Sequence, residues 1–403
     1  RFHFGRWLER TYGTLDALNK SWGTKFKSWD EVRAPLLEEV KDVKHVAGFV
    51  DHRRYMDSVF TARVRRFREA IESFDPEART GLSGTQYQSP WANYDWWQLC
   101  RAGNFWTAYG SAYGSAQTLL RRSFKTKSTI MCQWTGGYDR TDRNEYSKRL
   151  PIWDYLFNGY DGYAYYWGGS DAFIMMNADL TPCNIGRWVG DEMKIVKAGL
   201  AKLLLHSELE TYGIGIHYSP ASHYSSYATA KAQANRPGHI YNLINVMRPI
   251  VDLHRQFTFV AYQQIELGDL LERKFRLLFL PNSQAISRRE ADQIRKFVSE
   301  GGTVVADFAV GERDEHGTWV EGGLLADVFG LTVAKPEVEF RLSNVTLREA
   351  FGRMQPGPFS EFTTAFGDGL RATTAKPLAE AEALPLEREK AWFAEIAGRR
   401  HRF

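Results

Sequence analysis

RLPIWDYLFNGYDGYAYYWGGSDAF, residues 149–173, decides how the first half of the chain reads. Pro151 to Phe157 has the spacing of a helix, and the glycines that follow break it. Tyr163 to Trp167 then alternates like a short strand and stops at Gly168 and Gly169, where a chain can turn sharply and lie close to a ligand. Helix, turn, aromatic strand and glycine rim describe the last unit of a parallel α/β barrel. In such barrels the carboxyl ends of the strands carry the site.

Upstream the same rhythm repeats. Residues 2–20 and 53–73 read as helices, TGLSGT (80–85) and NFWTAYG (104–110) as strands, 112–124 as a helix and STIMCQW (128–134) as a strand. Residues 149–157 are the next helix, 162–167 the next strand, and 184–205 a long amphipathic helix. The order is that of the later half of an eight-stranded barrel, so the first four strands are expected upstream of Arg1. Residue 1 is Arg, and the opening RFHFGRWLERTYGTLDALNKSWGTKF reads at once as helix from the middle of a domain.

The next part has another pattern. YGIGIHYSP (212–220) is a strand running into a polar loop, Tyr241 to Phe257 a helix, and FRLLFLPN (275–282) a buried strand. SRREADQIRKFVSEGGTVVADF (287–308) is a capped helix, a Gly301–Gly302 stop and an apolar strand. This is an open, doubly wound α/β arrangement. The sequence therefore divides into residues 1–208, a partial barrel with strands 5 to 8; residues 209–332, the doubly wound part; and residues 333–403, a linker and the start of a further small domain or tail.

Composition removes whole classes of function. The 52 basic and 48 acidic residues leave a net charge of +4 that is spread along the chain, with no basic stripe to suit nucleic acid. No apolar run approaches the roughly 18 residues of a membrane span. Cys100, Cys132 and Cys183 show neither zinc nor disulfide spacing, which leaves the compartment open. No phosphate-binding glycine motif or metal-ligand cluster stands out, so no cofactor and no metal is expected. Eleven of the thirteen tryptophans lie at or before Trp188. Indole and phenol rings suit sugars, whose C–H faces stack on them while neighbouring polar groups take the hydroxyls, although any large core also buries tryptophan.

The order RWLERTYGTLDALNKSWGTKFKSWDEV (6–32), RLPIWDYLFNGYDGYAYYW (149–167), YGIGIHYSPAS (212–222) and FRLLFLPNSQAISRREADQIRKFVSEGGTVVADFAVGERDEHG (275–317) resembles the family 42 β-galactosidases over about 330 of the 403 residues. The resemblance implies a (β/α)8 barrel with a glutamic acid/base at the end of strand 4 and a glutamic nucleophile at the end of strand 7. It also implies a second domain, similar to class I glutamine amidotransferases, that assembles a homotrimer. Retaining hydrolysis of a galactoside or related glycan by two carboxyls about 5 Å apart would follow. The acid/base position falls before residue 1. At the end of strand 7, where the family has Glu, this sequence has Cys132 or Gln133, and neither can form a glycosyl ester.

Glu145, in the following segment GGYDRTDRNEYSKR, is the candidate replacement nucleophile; Asp139 and Asp142 are further acids there. Pairing of these acids with Arg140, Arg143, Lys148 or solvent is the competing reading. By position, Gln133 and Trp134 on strand 7, Tyr165 and Trp167 on strand 8, Asp171 beyond it, Tyr109 on strand 6 and Trp91 after strand 5 are substrate-binding candidates. Trp167 reads equally as a sugar platform or as core. The second part contains no cysteine after Cys183, so it lacks a glutaminase nucleophile. His217 and His223 are expected on its surface or at an interface. A catalytically inactive carbohydrate-binding or assembly protein on the same scaffold is the alternative, and an Asn–Glu pair at a strand end upstream of Arg1 would favour the enzyme.

Overall fold

The structure is a computed structural model that describes residues 2–36, 39–40, 45–85, 94–109, 116–126, 129–135, 144–165, 175–177, 179–232, 238–307, 309–334, 339–350, 353–358, 365–367 and 370–385. Helices α1 (Phe2–Tyr12), α2 (Leu15–Trp22) and α3 (Ala47–Glu72) open the chain. The single helix expected over 2–20 is broken because Gly13 takes φ 72° and Thr14 caps α2, its side chain accepting from Ala17 N. Helix α3 starts earlier than residue 53 because Val46, Phe49 and Val50 are buried against later residues, a tertiary gain that the local pattern does not show.

Then follow β1 (Gly81–Thr85), α4 (Trp96–Ala102), β2 (Phe105–Tyr109), α5 (Ala116–Phe124), β3 (Thr129–Thr135), α6 (Glu145–Phe157) and β4 (Gly162–Tyr165). The four strands pair in sequence order and all are parallel, as successive barrel strands must be. Gly81 is required by this packing: a Cβ there would stand 1.5 Å from the carbonyl oxygen of Phe105. The long helix expected over 184–205 is α7 (Asn184–Ile195) and α8 (Ala201–Leu205), joined by a π turn in which Gly199 takes φ 133°.

The second part comprises β5 (Ile214–Tyr218), α9 (Pro220–Ala232), α10 (His239–Asp252), β6 (Thr258–Ala261), α11 (Tyr262–Glu266), α12 (Asp269–Glu272), β7 (Leu277–Leu280), α13 (Arg288–Ser299) and β8 (Thr303–Ala306). Its parallel sheet has the order β6-β5-β7-β8, the reversal that defines a doubly wound fold. Helix α10 ends at Asp252, about a turn short of the expected Phe257, and the short buried strand β6 follows from Thr258. Ser287 and Glu290 close the expected capping box on α13. The glycine stop uses both residues differently. Gly301 supplies φ 94°, and Gly302 leaves room for the Phe297 ring, from which a Cβ would be 2.3 Å.

Beyond it lie α14 (Ala326–Phe329), β9 (Leu331–Val333), β10 (Glu339–Leu347), β11 (Gly357–Pro358), β12 (Ala365–Gly367), β13 (Leu370–Ala372) and β14 (Ala379–Pro385). Strand β10 pairs antiparallel with β11, β12 and β14, and β9 with β13.

The first two parts share a core. One buried cluster joins Trp96, Leu99, Trp106, Leu120 and Phe124 to Ile216, Tyr218, Leu243, Phe257 and Phe259. Polar contacts stitch its border. The Tyr218 hydroxyl donates to Tyr94 O at 2.7 Å and accepts from Trp96 N at 3.0 Å, and Trp97 Nε1 donates to Gln263 at 2.8 Å. Arg122 donates to Phe257 O, and Phe259 N donates to Ser123. A second stitch involves Asp51, fully buried on α3, which accepts from Tyr12, Trp22 and His316.

Candidate active-site face

The carboxyl ends of β1 to β4 form one rim, and strand register fixes which residues stand at the same height. Tyr109 pairs with Gln133, Cys132 with both Ala108 and Tyr163, and Thr135 with Tyr165. The register slips between Cys132 and Thr135, so Trp134 lies at an irregularity of the β3–β4 ladder. Tyr109, Gln133, Trp134 and Tyr165 are thus gathered by backbone on three adjacent strands. Trp91, Asp139, Asp142, Trp167 and Asp171 lie outside the described residues.

Glu145 is the first residue of α6, which Asn144 caps by accepting from Ser147 N at 3.1 Å. An acid in that first turn suits the helix dipole. Its carboxylate, half exposed, accepts from Arg149 Nε at 2.7 Å one turn on, and Arg149 also reaches Glu192 at 2.6 Å. Glu145 is thus ion-paired, as the competing reading has it, but with Arg149 one turn along the helix, a cation that reading does not name; Arg140 and Arg143 lie outside the described residues. Cys100 offers no alternative nucleophile, since burial pushes its thiol up to about 12, against the opposing charge of Arg121.

His217 and His223 are not surface residues. His217 lies within β5 and is fully buried, and His223 lies on α9, 4 % exposed. The small residues around them, Ser219, Ser222, Ser225 and Ser226, let α9 pack closely without an apolar stripe. His217 contacts Ser283 Oγ through Nδ1 at 2.8 Å and Glu290 through Nε2 at 3.0 Å. This Ser–His–Glu string has the members of a hydrolytic triad with the two ring nitrogens exchanged, serine on Nδ1 and acid on Nε2. All three members are buried, and Glu290 also accepts from Ser287 N in the α13 cap, so the string serves as a structural clamp across the sheet. His239 completes it. Its Nδ1–H donates to Pro281 O at 2.7 Å and its Nε2 accepts from Ser219 N at 3.2 Å, which fixes the neutral tautomer. Burial, reinforced by the proximity of His217, pushes its pKa down to about 3.

Sequence reasoning missed the polar groups along the border of the two parts. Tyr262 donates to Asp95 at 2.7 Å, Gln98 Nε2 donates to Tyr262 at 3.0 Å, and Tyr224 donates to Asp57 at 2.6 Å. A signal was present: Asp51, Arg54 and Asp57 recur every third residue on α3 and so share a face. Among the described residues no group of three or more metal-ligating side chains converges, and no helix is long and apolar enough to cross a membrane.

Comparison with known proteins agrees with this architecture. Residues 1–131 match the family model described as beta-galactosidase, and residues 267–388 match the one described as beta-galactosidase trimerisation domain. Beta-galactosidase LacZ of Heyndrickxia coagulans is 23 % identical over 97 % of this chain and 58 % of its own length. The chain thus spans little more than half of that relative. A solved beta-galactosidase from Bacillus circulans sp. alkalophilus superposes with a TM-score of 0.74 at 18 % identity, over 94 % of this chain and 59 % of its own. The enzyme from the psychrophilic Marinomonas ef1 gives 0.70 at 15 %, over 98 % and 67 %. The resemblance to family 42 read from the sequence is upheld, and the fold is the barrel-plus-trimerisation-domain fold of those structures.

Proposed function

We propose that this chain is part of a glycoside hydrolase of the β-galactosidase type, which removes terminal galactosides or a related sugar with retention. The observation that carries the reading is the joint match of both modules, in the order that the sequence predicts, on a backbone whose parallel strands bring Tyr109, Gln133, Trp134 and Tyr165 to one rim. Those four residues, with Trp91, Trp167 and Asp171, are assigned to substrate binding. The aromatic members would stack on sugar C–H faces, and Gln133 and Asp171 would take hydroxyls. The second part is assigned to homotrimer assembly, its buried Ser–His–Glu clamp stiffening the sheet.

Retention needs a nucleophile and an acid/base about 5 Å apart. Glu145 is the carboxylate that the sequence offers for the first role, and its ion pair with Arg149 is the observation against it. The test is hydrolysis of an aryl β-galactoside by the full-length protein, with the anomer of the first-formed product read by NMR. This 403-residue chain serves as the comparison and is expected to be inactive. An inverted product, or no turnover by the full-length protein on any terminal β-galactoside, would overturn the assignment. Sedimentation of the full-length protein as a trimer would support the assembly role, and a monomer at micromolar concentration would refute it.

A further inference from the structure

Helices α1, α3 and α4 meet the carboxyl edge of the doubly wound sheet around a cavity of about 240 Å³. Residues following three strands line it from one side: Ser219 after β5, Tyr262 after β6 and Glu290 after β7. In open α/β sheets this edge is where ligands bind. The crevice between β5 and β7 is filled by the His217–Ser283–Glu290 clamp, so the free volume lies beside it, under the helices of the first part. At about 30 Å³ per water in the liquid, it is the size of roughly eight waters.

The lining is chemically mixed. Trp7 is half-buried, with Phe4 at 6.2 Å and Tyr55 at 6.0 Å between ring centroids fixing its plane. Arg54 brings a guanidinium, Gln98 an amide and Tyr262 a phenol. Asp57 and Asp95 are buried carboxyls. Burial, with the charge of Asp95 adding to it, holds Asp57 well above the ordinary carboxylate range, and burial raises Asp95 as well. Asp95 already accepts from Gln98 and Tyr262, and Asp57 from Tyr224, so both carboxyls are held in place by the lining itself.

An anion placed here would face Asp57, Asp95, Glu290 and Glu315, and a cation would face the guanidinium of Arg54, which also donates to Glu315 O at 2.8 Å. A hydroxyl donates one hydrogen bond and accepts others, so a ring of hydroxyls can use guanidinium, amide, phenol and carboxyl together. We propose that this cavity between the two parts binds one neutral, polyhydroxylated molecule of monosaccharide size, with Trp7 as its apolar wall and Arg54, Asp57, Asp95, Gln98 and Tyr262 as its polar partners. The site is separate from the strand-end rim and does not depend on turnover there.

Isothermal titration of this chain with galactose, glucose and myo-inositol tests the proposal, with sulfate and ethanolamine as charged probes. At least one polyol is expected to bind saturably with Kd of about 1 mM or tighter. Trp7→Leu and Gln98→Leu should each weaken that binding tenfold or more in ligand-free protein that still unfolds cooperatively in urea, with a midpoint lowered by the lost contacts of each side chain. Trp134→Ala, at the rim, should remove only a second, rim-bound component of the heat and leave in place the component that the cavity variants lose. Should Trp7→Leu fail to fold, Gln98→Leu, on a half-buried helical position, decides alone. Three results would overturn the site: no saturable polyol binding, saturable binding of only the charged probes, or loss of binding in Trp134→Ala but not in the cavity variants. Because the readout is heat of binding, inactivity of the full-length enzyme would leave this result intact.

Discussion

Replacing Asp51 by Asn should uncouple α3 from the loop that carries His316, and the effect should depend on pH in a defined direction. Asp51 Oδ2 accepts from Tyr12 and Trp22, at 2.5 and 2.8 Å, and Oδ1 accepts from His316 Nδ1 at 2.7 Å. Hydrogen bonds to a charged group contribute about 1.5–3 kcal/mol and neutral ones about 1 kcal/mol. Asn keeps one accepting oxygen, so the bonds from Tyr12 and Trp22 weaken to neutral ones, and its NH₂ must face His316. Two bonds weakened by about 0.5–2 kcal/mol each and one of about 1.5–3 kcal/mol lost give about 2.5–7 kcal/mol at pH 6, a large share of the roughly 5–15 kcal/mol by which domains are stable.

Burial alone would lower the pKa of His316, but the hydrogen bond and charge of Asp51 outweigh it and raise it above 6.5. The folded state therefore holds a proton that the unfolded state has released. That contribution is complete below pH 6.5 and is lost as pH rises through the higher folded value. In Asp51→Asn the imidazole can accept from the amide when neutral, so the difference from the parent should shrink toward pH 9. Urea unfolding followed by tryptophan emission at pH 6 and pH 9, for the parent, Asp51→Asn, His316→Gln and the double variant, measures this. A loss below about 1 kcal/mol, an equal loss at both pH values, or strict additivity of the two substitutions would refute the reasoning.

Three further outcomes are expected. Glu145→Gln in the full-length enzyme should lower kcat by less than about tenfold, because an exposed pair such as Glu145–Arg149 is worth at most about 1 kcal/mol; a fall of several orders would make Glu145 the nucleophile. Gly302→Ala should cost about 1–3 kcal/mol in denaturant, since its Cβ would press on the Phe297 ring at 2.3 Å, and a neutral result would mean that the ring moves freely. Stability should also fall as pH drops below 6.5, because unfolded His239 takes up a proton that the folded state, with its value near 3, refuses. His239→Asn should flatten that slope, and an unchanged slope would assign it elsewhere.

What the sequence revealed and what it hid follow from distance along the chain. The strands at 81–85, 105–109 and 129–135, the SRRE cap and the Gly301–Gly302 stop are local signals, complete within a few residues. Helix α9 escaped because its buried face is built from Ser, Ala, His and Tyr, which carry no hydrophobic period. Strand β6 escaped because four residues behind a helix are too few to establish alternation. His217 was misplaced because a buried imidazole is stable only beside Ser283 and Glu290, partners 66 and 73 residues away. The rim candidates were found by counting strands, whereas the Asp57, Asp95 and Tyr262 cavity exists only once two parts of the chain are brought together.

The core shared by the first two parts has a consequence for how such chains can be recombined. A breakpoint placed between α8 and β5, where the sequence changes its rhythm, would give Trp96, Trp106 and Phe124 one ancestry and Tyr218, Phe257 and Phe259 another, although all pack in one cluster. The two parts are thus expected to melt as one unit. A chimera that exchanges only the trimerisation segment would inherit mismatched rings and the unpaired partners of Tyr218, Trp97 and Arg122. Working hybrids should arise when α3, α4 and α5 travel with the second part, so that the crossover falls upstream of Val46 and the contacts of Val46, Phe49, Val50 and Asp57 pass from the same parent as those of Tyr94 to Phe124.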